Sequence, residues 1–201
     1  MSHKRIRVFV LILFPLLIGC NKKSTGIEEP NYPKYHNFQS FYDFKSTLTT
    51  LSNIKDETIR LKGIQELWDS LKTKHLIPFT FGDSVAFLFS GTANTIYWAG
   101  DFNGWEPNES FKGNIIGLGT IWILEKKYPS DARLDYKIIK DGNWILDPDN
   151  EYKQLSGFGY NSELRMPNWI YPQETIITAE INRGQLSNNF LIHSYHHYFF
   201  Y

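Results

Sequence analysis

The chain has 201 residues and carries 21 basic and 21 acidic side chains, which is room for one domain plus a smaller appendage, without the bulk positive field that nucleic acid requires. Hydrophobic residues make up 42% and aromatics 16%, so a packed core is affordable and global disorder is excluded. Cys20 is the single cysteine, which excludes an internal disulfide.

Residues 1–19 read as an export signal. His3-Lys4-Arg5-Ile6-Arg7 is a basic start, and Val8 to Ile18 is an apolar run too short for a membrane span of about 20 apolar residues. The run ends in Leu17-Ile18-Gly19-Cys20, which resembles a bacterial lipobox and implies lipidation of Cys20 as the mature N-terminus. The alternatives are an ordinary signal peptide, or a core strand that happens to contain a Cys. Asn21 follows the Cys where an Asp would imply inner-membrane retention, so the expected location is the cell envelope, lipid-anchored at the outer membrane. Each buried methylene contributes about 0.8 kcal/mol, so several acyl chains anchor firmly. Loss of residues 1–19 leaves 18 basic against 21 acidic side chains. Residues 20–36 are polar with two prolines and read as a tether.

Residues 37–78 are expected to form a helical appendage. Phe38, Phe41 and Leu48, then Leu61, Ile64, Leu67, Trp68 and Leu71, recur at three- and four-residue steps. Asn53 or Asp56 suits the cap of the second helix. The stripe is most simply a face packed on another surface, and a partner-binding helix pair is the functional alternative. Ile77-Pro78-Phe79 ends the segment.

Residues 83–166 carry short strands between turn signals: 84–89, 95–99, 120–125, 133–140, 143–146 and 162–166. This spacing predicts a mainly β domain, a small antiparallel β-sandwich of immunoglobulin type. Trp98 and Trp122 fall inside strands and are expected in the core. Asp101 to Trp105 reads as a tight loop leaving a strand, with Trp105 either a loop anchor or a ligand platform.

Asp141-Gly142 lies between two apolar runs and suits a two-residue type I′ turn. That turn sets Lys140 opposite Asn143, Ile139 opposite Trp144 and Lys137 opposite Leu146. Tyr136, Ile138 and Ile145 then share one face, and Lys137, Ile139, Trp144 and Leu146 the other. The first face is the more apolar and is expected to be core, leaving Trp144 and Lys137 together outside. An exposed indole with an ammonium nearby suits a pyranose, whose C–H face stacks on the ring and whose hydroxyls accept from the amine. A Trp144 that covers a sheet edge or packs under a loop is the competing reading of the hairpin alone.

Two motifs stand in one order: Gly100-Asp101-Phe102-Asn103-Gly104-Trp105, then Tyr136-Lys137-x-x-x-Asp141-Gly142-x-Trp144-x-x-Asp147-Pro148. Together they resemble the family 48 carbohydrate-binding modules, which include the glycogen-binding domain of AMP-activated kinase β subunits and the early-set domains of branching enzymes and some esterases. The resemblance covers roughly residues 83–166. It implies an early-set, immunoglobulin-like sandwich. It also implies a sugar site built from two Trp, a Lys and an Asn, matched here by Trp105, Lys137, Trp144 and, more loosely, Asn161. Similar helical lead-ins precede the early-set domain in some exported esterase-like proteins, and residues 167–184 look like the junction that leads into their catalytic domain.

A strand at 175–181 fits that junction, and the tail from Leu186 to Tyr201 has no clear period. No Gly-x-Ser-x-Gly nucleophile elbow occurs, and Ser156-Gly157-Phe158-Gly159 has the wrong order. His193, His196 and His197 are close enough in sequence to share a metal, but with no acidic or Cys ligand near them the expectation is no metal and no cofactor. Asp135, Asp141, Asp147 and Asp149 are read as turn and strand-end residues. The expected function is a lipid-anchored carbohydrate-binding protein without catalysis of its own. Its expected partners are an α-glucan-like polysaccharide and, through the anchor, a membrane, with no role for nucleic acid. The alternative is a truncated N-terminal accessory region of an esterase-like α/β-hydrolase whose catalytic domain is missing, with a linked or partner esterase domain as its expected partner.

Overall fold

A computed structural model describes residues 37–172 and 174. The expected signal at 1–19, lipidation at Cys20, the tether at 20–36, the strand at 175–181 and the tail histidines His193, His196 and His197 lie outside the described residues.

Two helices come first, α1 (Phe41–Ser52) and α2 (Glu57–Thr73). Ser40 caps α1 by accepting from the Asp43 N–H at 3.0 Å, and Asp43 in return accepts from the Gln39 N–H. Asp56, rather than Asn53, caps α2 through the Ile59 N–H. A Schellman-type reversal ends α2: the Leu76 N–H donates to the Leu71 carbonyl, with His75 at φ 56°.

The apolar stripe is corrected at two positions. Phe44, fully buried, carries the main α1 contact by stacking on Phe79 at 3.9 Å. Leu61 is exposed, because Arg60 occupies the first turn of the buried face and donates to the Ile54 carbonyl at 2.7 Å. Ile64, Leu67, Trp68 and Leu71 are buried, in keeping with the spacing.

Among the described residues nine strands follow: β1 (Phe79–Phe81), β2 (Ser84–Ser90), β3 (Ile96–Gly100), β4 (Asn114–Ile115), β5 (Ile121–Lys127), β6 (Arg133–Lys140), β7 (Asn143–Ile145), β8 (Lys153–Ser156) and β9 (Gly159–Arg165). They form two antiparallel sheets, β1-β2-β5-β4 and β3-β6-β9-β8, with β7 paired to β6. The protein is therefore mainly β, a sandwich preceded by a short helical segment. The core between the sheets holds Phe87 and Phe89 of β2, Trp98 of β3, Trp122 of β5, Tyr136 and Ile138 of β6, and Leu164 of β9. Trp98 and Trp122 are both interior, as the sequence predicts.

The two sheets differ on their outer faces. β2 is buried from Val85 to Phe89 on both sides. Its inner residues fill the sandwich, while Ala86 pairs with Phe79, which lies under Phe44 of α1. The Leu118 N–H donates to the Ser52 carbonyl at 2.7 Å and ties the β4–β5 loop to the end of α1. The helices thus cover the first sheet. On the second sheet the outer face stays open around Trp144, which is 47% exposed.

The hairpin register follows from its turn. Asp141 and Gly142 have φ 49° and 81°, the type I′ signature, and Lys140 pairs with Asn143, Ile139 with Trp144 and Ile138 with Ile145. The ladder stops at Ile145, so the expected pairing of Lys137 with Leu146 lies beyond it. Tyr136 and Ile138 are fully buried and Ile145 packs against the core. Ile139, on the outer face, is nevertheless 5% exposed, flanked across the strands by Tyr97 and Trp144.

Candidate functional site

The Gly100–Trp105 motif is built to hold an indole outside the sheet. β3 ends at Gly100, where a Cβ would lie 2.1 Å from the Asp135 carbonyl oxygen, so no other residue fits so close an approach. Residues 101–103 form a single 3-10 turn. Phe102 is its inward anchor, with Phe87 at 5.3 Å and Phe111 stacked at 5.2 Å. Asn103 staples the turn: Oδ1 accepts from the Gly100 N–H at 2.9 Å and Nδ2 donates to the Trp98 carbonyl at 3.1 Å. Asp101 extends the ladder where β3 stops, since its Oδ2 accepts from the Asp135 N–H at 2.8 Å. The chain then reaches Trp105, half-buried at φ 63°.

Trp105, Lys137, Trp144 and Asn161 line one cleft of about 560 Å³ on the open sheet. They arrive by three routes. Lys137 and Trp144 come from β6 and β7 by the alternation of side chains. Asn161 comes from β9, one step beyond the Tyr136–Ser162 pair, which sets it beside Lys137. Trp105 comes from the loop. Lys137 has no hydrogen-bond or ion-pair partner among the described residues. Asn161 is 6% exposed, and its Nδ2 donates to Asp135 Oδ2 at 3.2 Å.

Four further residues line the cleft that sequence reasoning did not place there: Asp101, Asp135, Ser156 and Phe158. Phe158 is 99% exposed at the tip of the β8–β9 hairpin. The signal for it was available in Ser156-Gly157-Phe158-Gly159, four residues typical of a hairpin turn, but polar β8 shows no alternation that announces a strand before it.

The reading of the four aspartates as turn residues holds for Asp147, whose Oδ1 accepts from the Asp149 N–H at 3.0 Å, and for Asp141, which sits in the hairpin turn at φ 49° and whose Oδ1 also accepts from the Asn94 and Thr95 N–H groups at 2.8 Å each. Those bonds, the Thr95 one first, hold its carboxyl below the ordinary range. Asp135 bridges Arg133 (2.8 Å) and Asn161. Asp149 receives Lys72 at 2.6 Å and the Trp68 Nε1–H at 3.0 Å, fastening α2 to the loop after β7. Asp147 is buried under the Tyr136 hydroxyl.

Opposite Asp135 on β9, Glu163 is 2% exposed between Arg133, at 2.8 Å, and Arg165. Burial works to raise its carboxyl, and the two guanidinium groups outweigh it and hold it low. Arg165 in turn lies over the rings of Tyr152 and Trp169. Both carboxylates of the cleft, Asp101 and Asp135, are engaged in internal hydrogen bonds. That arrangement positions side chains around the cleft.

No protein-family model and no curated protein matches this chain. Among solved structures, it is similar to the enterobactin esterase from Shigella flexneri in the presence of 2,3-dihydroxy-N-benzoyl-serine, at 16% identity over 49% of this chain and 34% of that one, with a TM-score of 0.38. It is also similar to the ferric enterobactin esterase from Salmonella typhimurium, at 14% identity over 47% of this chain and 34% of that one, with a TM-score of 0.38. The chain spans about a third of the length of these esterases. Superpositions this partial carry no argument about activity.

Proposed function

We propose that the open face of the second sheet binds a neutral polysaccharide of α-glucan type, without catalysis by these residues. The observation that supports this reading is the convergence of Trp105, Lys137, Trp144 and Asn161, drawn from three separate stretches of the chain, on a single cleft. The indoles supply apolar faces for the C–H surface of a pyranose, Lys137 donates to hydroxyls, and the Asn161 amide oxygen accepts from them. Removing a central Trp from such a contact costs about 2 kcal/mol, roughly thirtyfold in affinity. The test is affinity electrophoresis of the full chain in glycogen or starch gels. Retardation of the wild type, lost in Trp105→Ala and Trp144→Ala, supports the reading; free migration of the wild type overturns it.

The cell-envelope location belongs to the same proposal. Export and lipidation at Cys20 are tested by labelling with radioactive palmitate and fractionating the membranes. Label that persists in Cys20→Ala counts against the anchor.

A second reading makes the sandwich an accessory region of an esterase-like α/β-hydrolase. The names of the solved structures above agree with it, and the junction-like residues 167–184 suggested it. Translating the adjoining DNA in all frames tests the linked form: an open frame with Gly-x-Ser-x-Gly supports it, and its absence removes it.

A further inference from the structure

The structure assigns Asp101 as the positioning residue that fixes the Trp105 indole as a ligand platform, an inference that rests on the polysaccharide reading above. Trp105 stands at φ 63°, a left-handed conformation that a residue with a bulky side chain rarely adopts unless its surroundings impose it. Two bonds impose it here. The Trp105 N–H donates to the Gly100 carbonyl at 3.0 Å and holds the backbone. The Trp105 Nε1–H donates to Asp101 Oδ1 at 3.1 Å and holds the ring. The other oxygen of the same carboxylate accepts from the Asp135 N–H at 2.8 Å, so Asp101 is itself fixed to β6, the strand that carries Lys137. The ring angle of Trp105 is thereby referred to the same strand as the ammonium that it would work beside.

This wiring limits what a ligand can use. The indole N–H is already taken, so Trp105 offers only its ring faces and no directed donor. Platform and donor are separated, the first in Trp105 and the second in Lys137. An Asn at position 101 keeps one acceptor, which the shorter backbone bond retains, and turns an amide N–H₂ towards the indole N–H. Donor then faces donor, and the ring is released while the strand end stays paired.

The experiment uses the full chain with glycogen as the probe and compares wild type, Asp101→Asn, Trp105→Phe and the double variant. Phenylalanine keeps an aromatic face and removes the N–H. Asp101→Asn is expected to weaken glycogen binding about tenfold in the wild-type background and by much less in the Trp105→Phe background. An equal loss in both backgrounds means that Asp101 acts on something other than the indole, and overturns the assignment. A readout without ligand accompanies it: the indole ¹H–¹⁵N signal missing in Trp105→Phe belongs to Trp105, and in Asp101→Asn it should shift and exchange faster with solvent. An unchanged signal overturns the clamp while leaving the platform standing. Free migration of the wild type in glycogen overturns the platform, and with it the ligand part of this inference, whatever the indole signal shows.

Discussion

Asp147 Oδ2 accepts a 2.6 Å hydrogen bond from the Tyr136 hydroxyl, with the carboxylate 1% and the tyrosine 0% exposed. Asn150 donates to the same hydroxyl at 3.1 Å, and Ser162 accepts from the Asp147 N–H at 2.8 Å. Burial raises the Asp147 carboxyl to about 6; the hydrogen bonds from Tyr136 and the nearby backbone oppose that rise without cancelling it.

A pH dependence follows with a definite sign. A carboxyl whose folded pKa lies above its ordinary 3.8 binds its proton more tightly in the folded state, so stability rises as the pH falls through about 6 and the gain is complete near 3.8. Between pH 7 and pH 5 this amounts to about 1 kcal/mol. Glu163, held low by its arginines, acts in the opposite sense, and its contribution is lost only as the pH falls through its own lower value. Urea unfolding at pH 7, 6 and 5 should therefore show the wild type gaining stability towards pH 5 and Asp147→Asn staying flat. A wild type that loses stability over that range contradicts the account.

The Glu163 carboxylate depends on two cations. Arg133→Met leaves it buried with Arg165 alone and is expected to cost about 2 to 3 kcal/mol, discounted because the Arg133 side chain is 27% exposed. Glu163→Gln added to that variant should recover part of the loss, because no uncompensated charge then remains. Equilibrium unfolding of the two single variants and the double closes the cycle; additive losses would show that the pair is not coupled.

The same glycine substitution should have opposite weight at two places. At Gly142 a Cβ meets nothing within 4 Å, so Gly142→Ala carries only the strain of φ 81°, about 1 kcal/mol. At Gly100 the Cβ would collide with the Asp135 carbonyl and the Tyr136 Cα, both backbone atoms that cannot turn aside. Gly100→Ala should cost at least about 3 kcal/mol or prevent folding. Thermal melts of the two variants decide it, and comparable melting points would be the contrary result.

Much of this arrangement was legible in the sequence. The Asp141-Gly142 pair fixed the register of β6 and β7, and alternation alone separated Tyr136 and Ile138 from Trp144. Strands β1, β4 and β8 were not legible, because three, two and four residues are too few to display a period. Nor was the wiring of the carboxylates. Asp101 meets the Asp135 backbone across 34 residues and Asp149 meets Trp68 across 81, distances at which local preference carries no information. Leu61 misled for the opposite reason: its spacing is right, and Arg60 takes the place on the buried face.

Phe158 gives the sharpest separation of fold from function. A phenyl ring 99% exposed contributes almost nothing to stability, so Phe158→Ala should unfold within about 0.5 kcal/mol of the wild type. On the polysaccharide reading it should nonetheless migrate faster through a glycogen gel. Normal retardation would remove the ring from the contact surface, and a large stability loss would show it packed in solution.

The helical layer covers one sheet and leaves the other bare, which makes the molecule's traffic one-sided. On the polysaccharide reading a glycan strand would approach from the side of Trp144, where the sheet is uncovered. That one-sidedness is a property of the architecture, set when α1 packs Phe44 onto Phe79 of β1.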